Sequence, residues 1–241
     1  CYMTTCPAVS YMWTGLTPDC SVTRLNWLSN AWNSEGAVSF FDRIHNAGYQ
    51  CRFYTNHQGV MFGDVGDMKG KVDNVGIMNP QVNVKLMLSM LEKYTVYRYV
   101  PYILKPRFEV DLSHFVGVVL YDEEFDHHEA MIDYYEHIKE SPITINQDLS
   151  KLVYYHHFDG IHGPWLIDEE GNRREEKDSK WEIETPITLR GDFVAVKYFL
   201  NQLKELGVYD NSTIIISADH GNVFDHTDLQ CIFFLKQKNT A

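Results

Sequence analysis

The sequence lacks a long apolar run, a surplus of basic residues and a paired cysteine pattern, and each absence excludes a class of protein. No apolar run in the 241 residues approaches the roughly 20 residues that a membrane-spanning helix needs, so we expect no membrane segment in this chain. The 21 basic residues against 33 acidic ones give a net charge of −12, which argues against a nucleic-acid partner. Five cysteines without Cys-x-x-Cys spacing argue against a disulfide framework and a zinc knuckle, and favour reduced thiols.

The composition is that of a soluble globular protein. Hydrophobic residues make up 44% and charged residues 22% of the chain, which is enough apolar material for one large core. We therefore expect a single domain over residues 1–241.

Periodicity predicts alternating helices and strands. Val38, Phe41, Ile44 and Ala47 recur at helical spacing, and Gly48 ends that helix. Further helices are predicted at 123–140 and up to residue 206, the latter with an apolar face of Val196, Phe199, Leu200, Leu203 and Leu206. Strands are predicted at 51–55, 115–120, 151–158, 212–217 and 229–236, and an exposed charged loop at 172–186. The pattern predicts an α/β fold with a largely parallel central sheet flanked by helices.

A carboxylate and an imidazole side chain follow the strand predicted at 212–217. Asp219 and His220 come directly after it and precede Gly221. Ligands of open α/β sheets bind beyond the carboxyl ends of the strands, and Asp with His suits a divalent ion such as Zn²⁺ or Mn²⁺. A pair that merely caps a turn would leave the same pattern.

Five other histidines fall in two segments. His156 and His157 point to opposite faces of a predicted strand, and packing explains them best. His162 lies past that strand between glycines, in a loop that permits close approach to a ligand. His127 and His128 lie in an acidic predicted helix, where a solvated surface accounts for them.

The first residues place hydroxyl and thiol groups before an apolar, helical stretch. Thr4, Thr5 and Cys6 lie where free backbone N–H groups and the helix dipole favour an anion. An ordinary threonine N-cap would give the same sequence.

Several short motifs now appear in a characteristic order. They are Thr-Cys-Pro at 5–7, Thr-Gly-Leu-Thr-Pro at 14–18, Gly-Tyr at 48–49, His-Gly-Pro at 162–164 and LKELGVYDNSTIIISADHG at 203–221. This order resembles the sulfatase-like branch of the alkaline phosphatase superfamily over nearly the whole chain, and the last run is its most specific part. The resemblance implies an α/β domain with a metal at the strand ends, which transfers or hydrolyses sulfate or phosphate esters through a covalent intermediate.

The resemblance implies that Thr5 is the nucleophile, since that residue lies nine positions before the Thr-Gly that ends its helix. Sulfatases have Cys or Ser there, followed by x-Pro-Ser-Arg, whereas Pro7 is followed here by Ala8 and Val9, and Thr cannot become formylglycine. A threonine nucleophile resembles that of the lipoteichoic acid synthases and phosphoethanolamine transferases. Cys6 is one residue out of register and is interpreted as a packing cysteine.

The resemblance also implies the rest of the site. Asp219 and His220 match the late metal ligands, with Thr5 completing the coordination of Zn²⁺ or Mn²⁺, and with Mg²⁺ or Ca²⁺ as further candidates. Where sulfatases have Lys-x-His, this chain has Asn56 and Gln58, which we expect to hydrogen-bond the substrate headgroup.

Two histidines are candidates on the substrate side. His162 matches a family histidine that protonates the leaving oxygen or binds the anion. His226 is a second candidate for that role, and a turn histidine is an equal interpretation.

One expected ligand has no counterpart in the sequence. The family supplies a further metal-binding acid upstream of the nucleophile, but only four residues precede Thr5. We expect that acid outside this chain, with the chain a partial domain short at both ends, unless Asp64 or Asp67 substitutes. The resemblance places the full-length protein on the extracellular or periplasmic side of the cytoplasmic membrane.

Three functions follow as hypotheses. The first is a metal-dependent phosphoryl transferase or phosphodiesterase with a covalent threonine intermediate, acting on a small-molecule, lipid-headgroup or glycan ester. The second is a sulfuric ester hydrolase, and the third is a non-catalytic binder of an anionic glycan or headgroup. Substrate and oligomeric state stay open.

Overall fold

The structure is a computed structural model that describes residues 4–55, 58–74, 81–107, 119–120, 130–163, 165–175, 180–221 and 231–240. The chain divides into two compact units, one formed by residues 1–75 with 127–241 and the other by residues 76–126. Both helix and strand are present, with helix predominating, so the fold is mixed α and β.

The described residues form seven α-helices and six β-strands. The helices are α1 (Thr5–Thr14), α2 (Arg24–Trp32), α3 (Glu35–Asn46), α4 (Gln58–Met61), α5 (Val84–Tyr99), α6 (Met131–Glu140) and α7 (Trp181–Glu205). The strands are β1 (Gln50–Tyr54), β2 (Gln81–Val82), β3 (Val119–Leu120), β4 (Leu152–His156), β5 (Ile214–Ser217) and β6 (Phe233–Lys236). None of the described helices is both long and apolar enough to cross a membrane.

The strands pair in three two-stranded sheets within the described part of the chain. β1 and β4 run parallel, with Phe53 opposite Tyr155. β2 with β3, and β5 with β6, run antiparallel. The parallel sheet is therefore small, and the large central parallel sheet expected from the sequence does not appear among the described residues.

The other edge of β1 is paired with side chains and backbone of residues 73–74. Asp73 donates its N–H to the Cys51 carbonyl at 2.7 Å, and its carboxylate accepts the Cys51 N–H at 2.6 Å. The Asn74 side chain accepts the Phe53 N–H at 2.9 Å and donates to the Phe53 carbonyl at 2.8 Å. Because Phe53 is buried, these bonds satisfy backbone groups that a neighbouring strand would otherwise satisfy.

The first three helices form as their local signals predict. Gly15 ends α1 in the left-handed conformation at φ 72°, and Gly48 follows α3 at φ 82°. Thr23 and Ser34 cap α2 and α3 through side-chain hydroxyls that accept from Asn26 and Ala37.

These helices pack on β1 around one core cluster. Its members are apolar or sulfur-containing and buried: Cys6, Val9, Trp27, Leu28, Ala31, Trp32, Phe41, Cys51, Phe53, Met61, Phe62, Met68 and Val72. The Met61 carbonyl accepts hydrogen bonds from the Ser10 hydroxyl at 3.1 Å and the Trp32 indole at 3.0 Å. These bonds fix α1 and α2 against α4, and so fix the helix that begins at Thr5.

Helix α7 begins earlier than the sequence predicted. Residues 172–186 were expected to form a loop, but α7 starts at Trp181 and contains Pro186. Glu182 and Glu184 lie in the first turn, where acidic side chains favour the helix dipole. A buried ion pair of Glu184 with Arg174, 2.6 Å apart, holds this turn in place.

The remaining predicted elements agree in type. The helix predicted at 123–140 is described as α6 from Met131, and of the strand predicted at 115–120 only Val119 and Leu120 are described. The apolar face predicted on α7 is half-buried and lines a cavity of about 410 Å³, where Val196 and Leu200 meet Ile214 and Ile216. The fully buried face of α7 carries Glu184, Thr188, Gly191, Asp192, Ala195 and Gln202 instead.

Candidate functional site

Asp219 and His220 lie just past the end of β5, where the strand gives way to a bend. Their side chains are mostly buried, with 19% and 15% of their surface exposed. One Asp219 oxygen, Oδ1, accepts the backbone N–H of His220 at 2.9 Å. The side chain of Asp219 is therefore held by its own neighbour in the chain.

The hydrogen bonds of this pair determine which atoms can accept a ligand. His220 Nδ1 lies 2.8 Å from the Gly221 carbonyl oxygen, and because a carbonyl only accepts, Nδ1 carries the proton. The Nε2 lone pair of a neutral His220 is then available. Asp219 Oδ2 is buried without a hydrogen-bond partner among the described residues, and it lies 3.8 Å from Nε2.

These two atoms fit the ligand set of a divalent cation. Two ligands of one tetrahedral zinc ion lie about 3.3 Å apart, given bond lengths of about 2.0–2.1 Å. A metal-binding histidine commonly donates its other ring N–H to a backbone carbonyl, as His220 does to Gly221. A buried, unpaired carboxylate oxygen also costs free energy unless a cation or donor reaches it.

The negative charge of Asp219 affects the pKa values of two residues in other segments of the chain. Burial raises the pKa of the Tyr155 hydroxyl in β4, and the negative charge of Asp219 raises it further. The same two causes raise the pKa of the Cys231 thiol, which precedes β6. The Tyr155 ring also packs on Phe53 at 4.9 Å between centroids, so Asp219 lies near the β1–β4 sheet.

Thr5 is the first residue of α1, and Thr4 is the N-cap. The Thr4 side chain makes no capping hydrogen bond, and the half-buried Thr5 hydroxyl has no hydrogen bond to another described residue. Cys6 is buried in the core, and this burial raises the pKa of its thiol. A buried, protonated thiol is a poor nucleophile. Thr5 is only half-buried, so its hydroxyl is the more accessible of the two groups.

The structure does not join Thr5 to the Asp219–His220 pair. Among the described residues, no hydrogen bond or ion pair links the hydroxyl to either side chain, and no group of three or more His, Cys, Asp or Glu residues has metal-binding geometry. The described part of the chain therefore presents an Asp–His pair at the end of β5 and, separately, a helix that starts with the Thr5 hydroxyl.

His162 lies exposed in the turn that follows β4. Its backbone N–H donates to the Asp159 carbonyl at 3.1 Å, and Gly160 adopts φ 56° in the same turn. His156, at the end of β4, stacks on Phe158 with 3.7 Å between ring centroids, which is the packing role expected of it. His162 has no hydrogen bond to Asp219 or His220 among the described contacts.

The other candidates divide into residues outside the described part and residues with structural roles. Asn56, His226, His127 and His128 lie outside the described residues, as does the side chain of Gln58, the first residue of α4.

The two carboxylates considered as substitute ligands already have partners. Asp64 accepts the Gly66 N–H at 2.8 Å and caps a short 3-10 turn over Val65–Met68. Asp67 Oδ1 accepts the Asn33 amide at 2.7 Å, whereas its Oδ2 is buried without a hydrogen-bond partner among the described residues. The bond of Asp64 favours a structural role for that residue, and one oxygen of Asp67 is also engaged structurally.

One buried carboxylate was not predicted from the sequence. Asp192 of α7 is 8% exposed and borders a small cavity with Gly160 and Thr188, and its Oδ1 has no hydrogen-bond partner among the described residues. Burial raises its pKa to about 7. No sequence pattern marks it, because its neighbours at helical spacing on the buried face of α7 are Thr188 and Ala195 rather than large apolar residues.

Comparison of the chain with models of known protein families, with curated proteins and with solved structures finds no match in any of the three.

Proposed function

We propose that this chain is a metal-dependent phosphoryl transferase or phosphodiesterase that forms a covalent intermediate on Thr5. The observation that carries the proposal is the pair of ligand atoms at the end of β5. The buried Asp219 Oδ2 has no partner among the described residues, and it faces His220 Nε2 at 3.8 Å. An Asp–His turn cap would need neither an unsatisfied oxygen nor a free Nε2.

Asp219 and His220 would hold the metal, with Thr5 as a further ligand. A bound divalent ion supplies Lewis-acid charge that lowers the pKa of a ligating hydroxyl and neutralises phosphoryl oxygens. The bond of His220 Nδ1 to the Gly221 carbonyl keeps the ring in the tautomer that can ligate.

Thr5 would act as the nucleophile. Its hydroxyl releases a proton to solvent, its oxygen forms a bond to phosphorus, and the bond from phosphorus to the ester oxygen breaks. His162 would give a proton to that leaving oxygen. A second hydroxyl, from water or an acceptor, then displaces Thr5 and restores the free enzyme. The first backbone N–H groups of α1 would bind the phosphoryl oxygens. Positioning and charge stabilisation of this kind make the main contribution to the catalysis of phosphoryl transfer.

The finer features of the fold and setting belong to the same proposal. We propose that β1 and β4 are part of a larger, largely parallel sheet, whose carboxyl edge carries the site, and that Asn56, Gln58 and His226 bind the substrate headgroup. The substrate would be a phosphate ester of a lipid headgroup or glycan, handled outside the cytoplasmic membrane. The motif order and the threonine at position 5 support these expectations.

Metal analysis and covalent labelling test the proposal independently. Protein supplied with zinc and manganese and then dialysed is expected to retain a stoichiometric metal. Asp219→Ala should lose it, and Asp148→Ala, at an exposed carboxylate, should keep it. Bis(p-nitrophenyl) phosphate should label the metal-loaded protein on Thr5, as read by peptide mass spectrometry.

The neighbouring hydroxyl gives the matched control for labelling. Thr5→Ala should abolish the label, whereas Thr4→Ala should keep it, since the Thr4 side chain makes no capping bond. Turnover of p-nitrophenyl sulfate without a phosphoryl adduct would favour sulfate-ester hydrolysis instead. If the protein retains no metal and turns over neither ester, the enzyme proposal is contradicted. The binder of an anionic glycan or headgroup is then the remaining hypothesis.

A further inference from the structure

The cavity of about 410 Å³ between helix α7 and the β5–β6 sheet has the form of a small-molecule site. Aliphatic and aromatic side chains from both elements line it: Phe193, Val196, Leu200, Ile214, Ile216 and Phe234. Cavities of about 300–1,000 Å³ with mainly apolar walls and a few polar groups commonly hold small ligands. Neither Thr5 nor the Asp219–His220 pair lines this cavity, so it has no part in the mechanism proposed above.

One end of the cavity is aromatic. Phe193 of α7 meets Phe234 of β6 edge to face there, with 5.9 Å between the ring centroids. Ile216 of β5 lies opposite Phe234 in the register of the two strands. These side chains offer no hydrogen bond to a ligand, so this end favours an apolar group.

The opposite end of the cavity is basic. Helix α7 lines the cavity from Phe193 to Lys204, a distance of about 17 Å at a rise of about 1.5 Å per residue. Lys204 and Lys236 both approach the Tyr209 ring, with their ammonium nitrogens 4.8 Å and 4.6 Å from its centroid. Two positive charges therefore lie about three helical turns from the aromatic end.

The two lysines differ in what they can offer a ligand. The Lys236 ammonium donates to three backbone carbonyls, those of Tyr209, Asp210 and Ser212, at 2.8, 3.3 and 3.1 Å. Because an ammonium has three donors, Lys236 contributes charge but no further hydrogen bond. The Lys204 ammonium is exposed and contacts the face of the Tyr209 ring, so its donors can reach an anion.

No carboxylate balances this charge within the cavity. Among the described residues no acidic side chain lines it, and a third lysine, Lys197, lies along its middle. Of the acidic residues adjacent in sequence to the lining residues, Glu205 and Asp210 are exposed, and Asp192 borders a different cavity. An apolar cavity whose charged lining residues are lysines favours an anionic ligand.

We propose that this cavity binds a medium-chain fatty acid, with its carboxylate at Lys204 and its alkyl chain directed toward Phe193 and Phe234. The Lys204 ammonium donates charge-assisted hydrogen bonds to the carboxylate, and the charge of Lys236 adds to the attraction. The alkyl chain displaces water from the aliphatic walls. A sugar phosphate would leave the aromatic end without a partner, and an uncharged hydrocarbon would not use the lysines.

Calorimetric titration of the full chain with decanoate, below its micelle concentration, tests this assignment. Saturable binding of one ligand per chain is expected. Hexanoate should bind at least about tenfold more weakly, because its chain is four methylene groups shorter. Decanol keeps the chain without the charge and should bind at least about fivefold more weakly. Added salt should weaken the binding of decanoate and leave that of decanol unchanged.

Lysine variants locate the carboxylate within the cavity. Lys204→Gln should weaken decanoate binding at least about fivefold, and Lys197→Gln should weaken it less, because Lys197 lies nearer the middle of the cavity. Lys180→Gln, at the exposed lysine before α7, is the matched control and should bind as the parent does.

Four results would overturn the proposal. They are the absence of saturable decanoate binding, equal affinities for decanoate and hexanoate, equal affinities for decanoate and decanol, and a Lys204→Gln variant that binds decanoate as Lys180→Gln does. None of these results depends on a metal or on Thr5, so they are separable from a failure of the proposed enzyme activity.

Discussion

At the scale of single residues, the buried carboxyl group of Asp192 should make the stability of the fold depend on pH. Its carboxyl group lies on the buried face of α7, and the residues around its small cavity besides Thr188 are apolar or glycine. Burial raises its pKa to about 7, whereas an unfolded aspartate titrates near about 3.9. Between these values the folded state holds a proton that the unfolded state has released, so stability falls as the pH rises from about 4 to about 7.

Replacing Asp192 by Asn should remove that dependence. The raised pKa of Asp192 lowers the free energy of unfolding by at most about 4 kcal/mol between about pH 4 and about pH 8. Asp192→Asn should therefore be as stable as the parent near about pH 4 and more stable than the parent near about pH 8. Urea unfolding at the two pH values measures the difference. Asp148→Asn, at an exposed carboxylate, should leave the pH profile unchanged. A parent protein whose stability is flat across this range would contradict the assignment.

The same scale separates what residue patterns can and cannot predict. The sequence predicts a helix that begins near Thr5, and Thr5 is the first residue of α1. The end of that helix at Gly15 is also a local signal. Asp192 was missed because its burial depends on the turn at Gly160 packing over α7. Contacts between segments far apart in sequence leave no local pattern.

At the scale of elements, Asn74 acts as a substitute for a strand. Its amide both accepts from and donates to the backbone of Phe53, and Phe53 is almost fully buried. Asn74→Ala would leave an N–H and a carbonyl without partners, at a cost of about 2 kcal/mol or more. Denaturant unfolding should show a lower midpoint, whereas Asn211→Ala, at an exposed turn residue, should unfold as the parent does. An unchanged midpoint for Asn74→Ala would mean that water replaces the amide.

Elements were predictable where their signals are local. Helix α3 follows from its apolar spacing and from the glycine after it, and β1 and β4 follow from the adjacent aromatic residues in each strand. The start of helix α7 was missed because the dense charge of residues 172–186 indicated an exposed loop. The buried Arg174–Glu184 pair holds the first turns of α7 in place ahead of Pro186. Strand order was not predictable either, since β5 pairs antiparallel with β6 through contacts that no local pattern specifies.

At the scale of the whole molecule, a metal bound only by the folded state must stabilise the fold. Ligand binding raises the free energy of unfolding by RT ln(1 + [L]/Kd), which is about 2.7 kcal/mol at 100 times Kd. Manganese is the better probe than zinc here, because the thiols of an unfolded chain bind zinc and diminish the shift. Saturating Mn²⁺ should therefore raise the melting temperature by several degrees.

The two ligands should be needed together for that shift. Asp219→Ala and His220→Ala each remove one of two atoms that lie 3.8 Å apart, so neither variant should respond to Mn²⁺. His162→Ala should respond as the parent does, because His162 lies exposed in the turn after β4 and has no contact with the pair among the described bonds. Differential scanning fluorimetry with chelator as the reference resolves these cases. A parent protein that melts at the same temperature with and without Mn²⁺ would mean that Asp219 Oδ2 is satisfied by water, and that the pair caps the end of β5 rather than binding a metal.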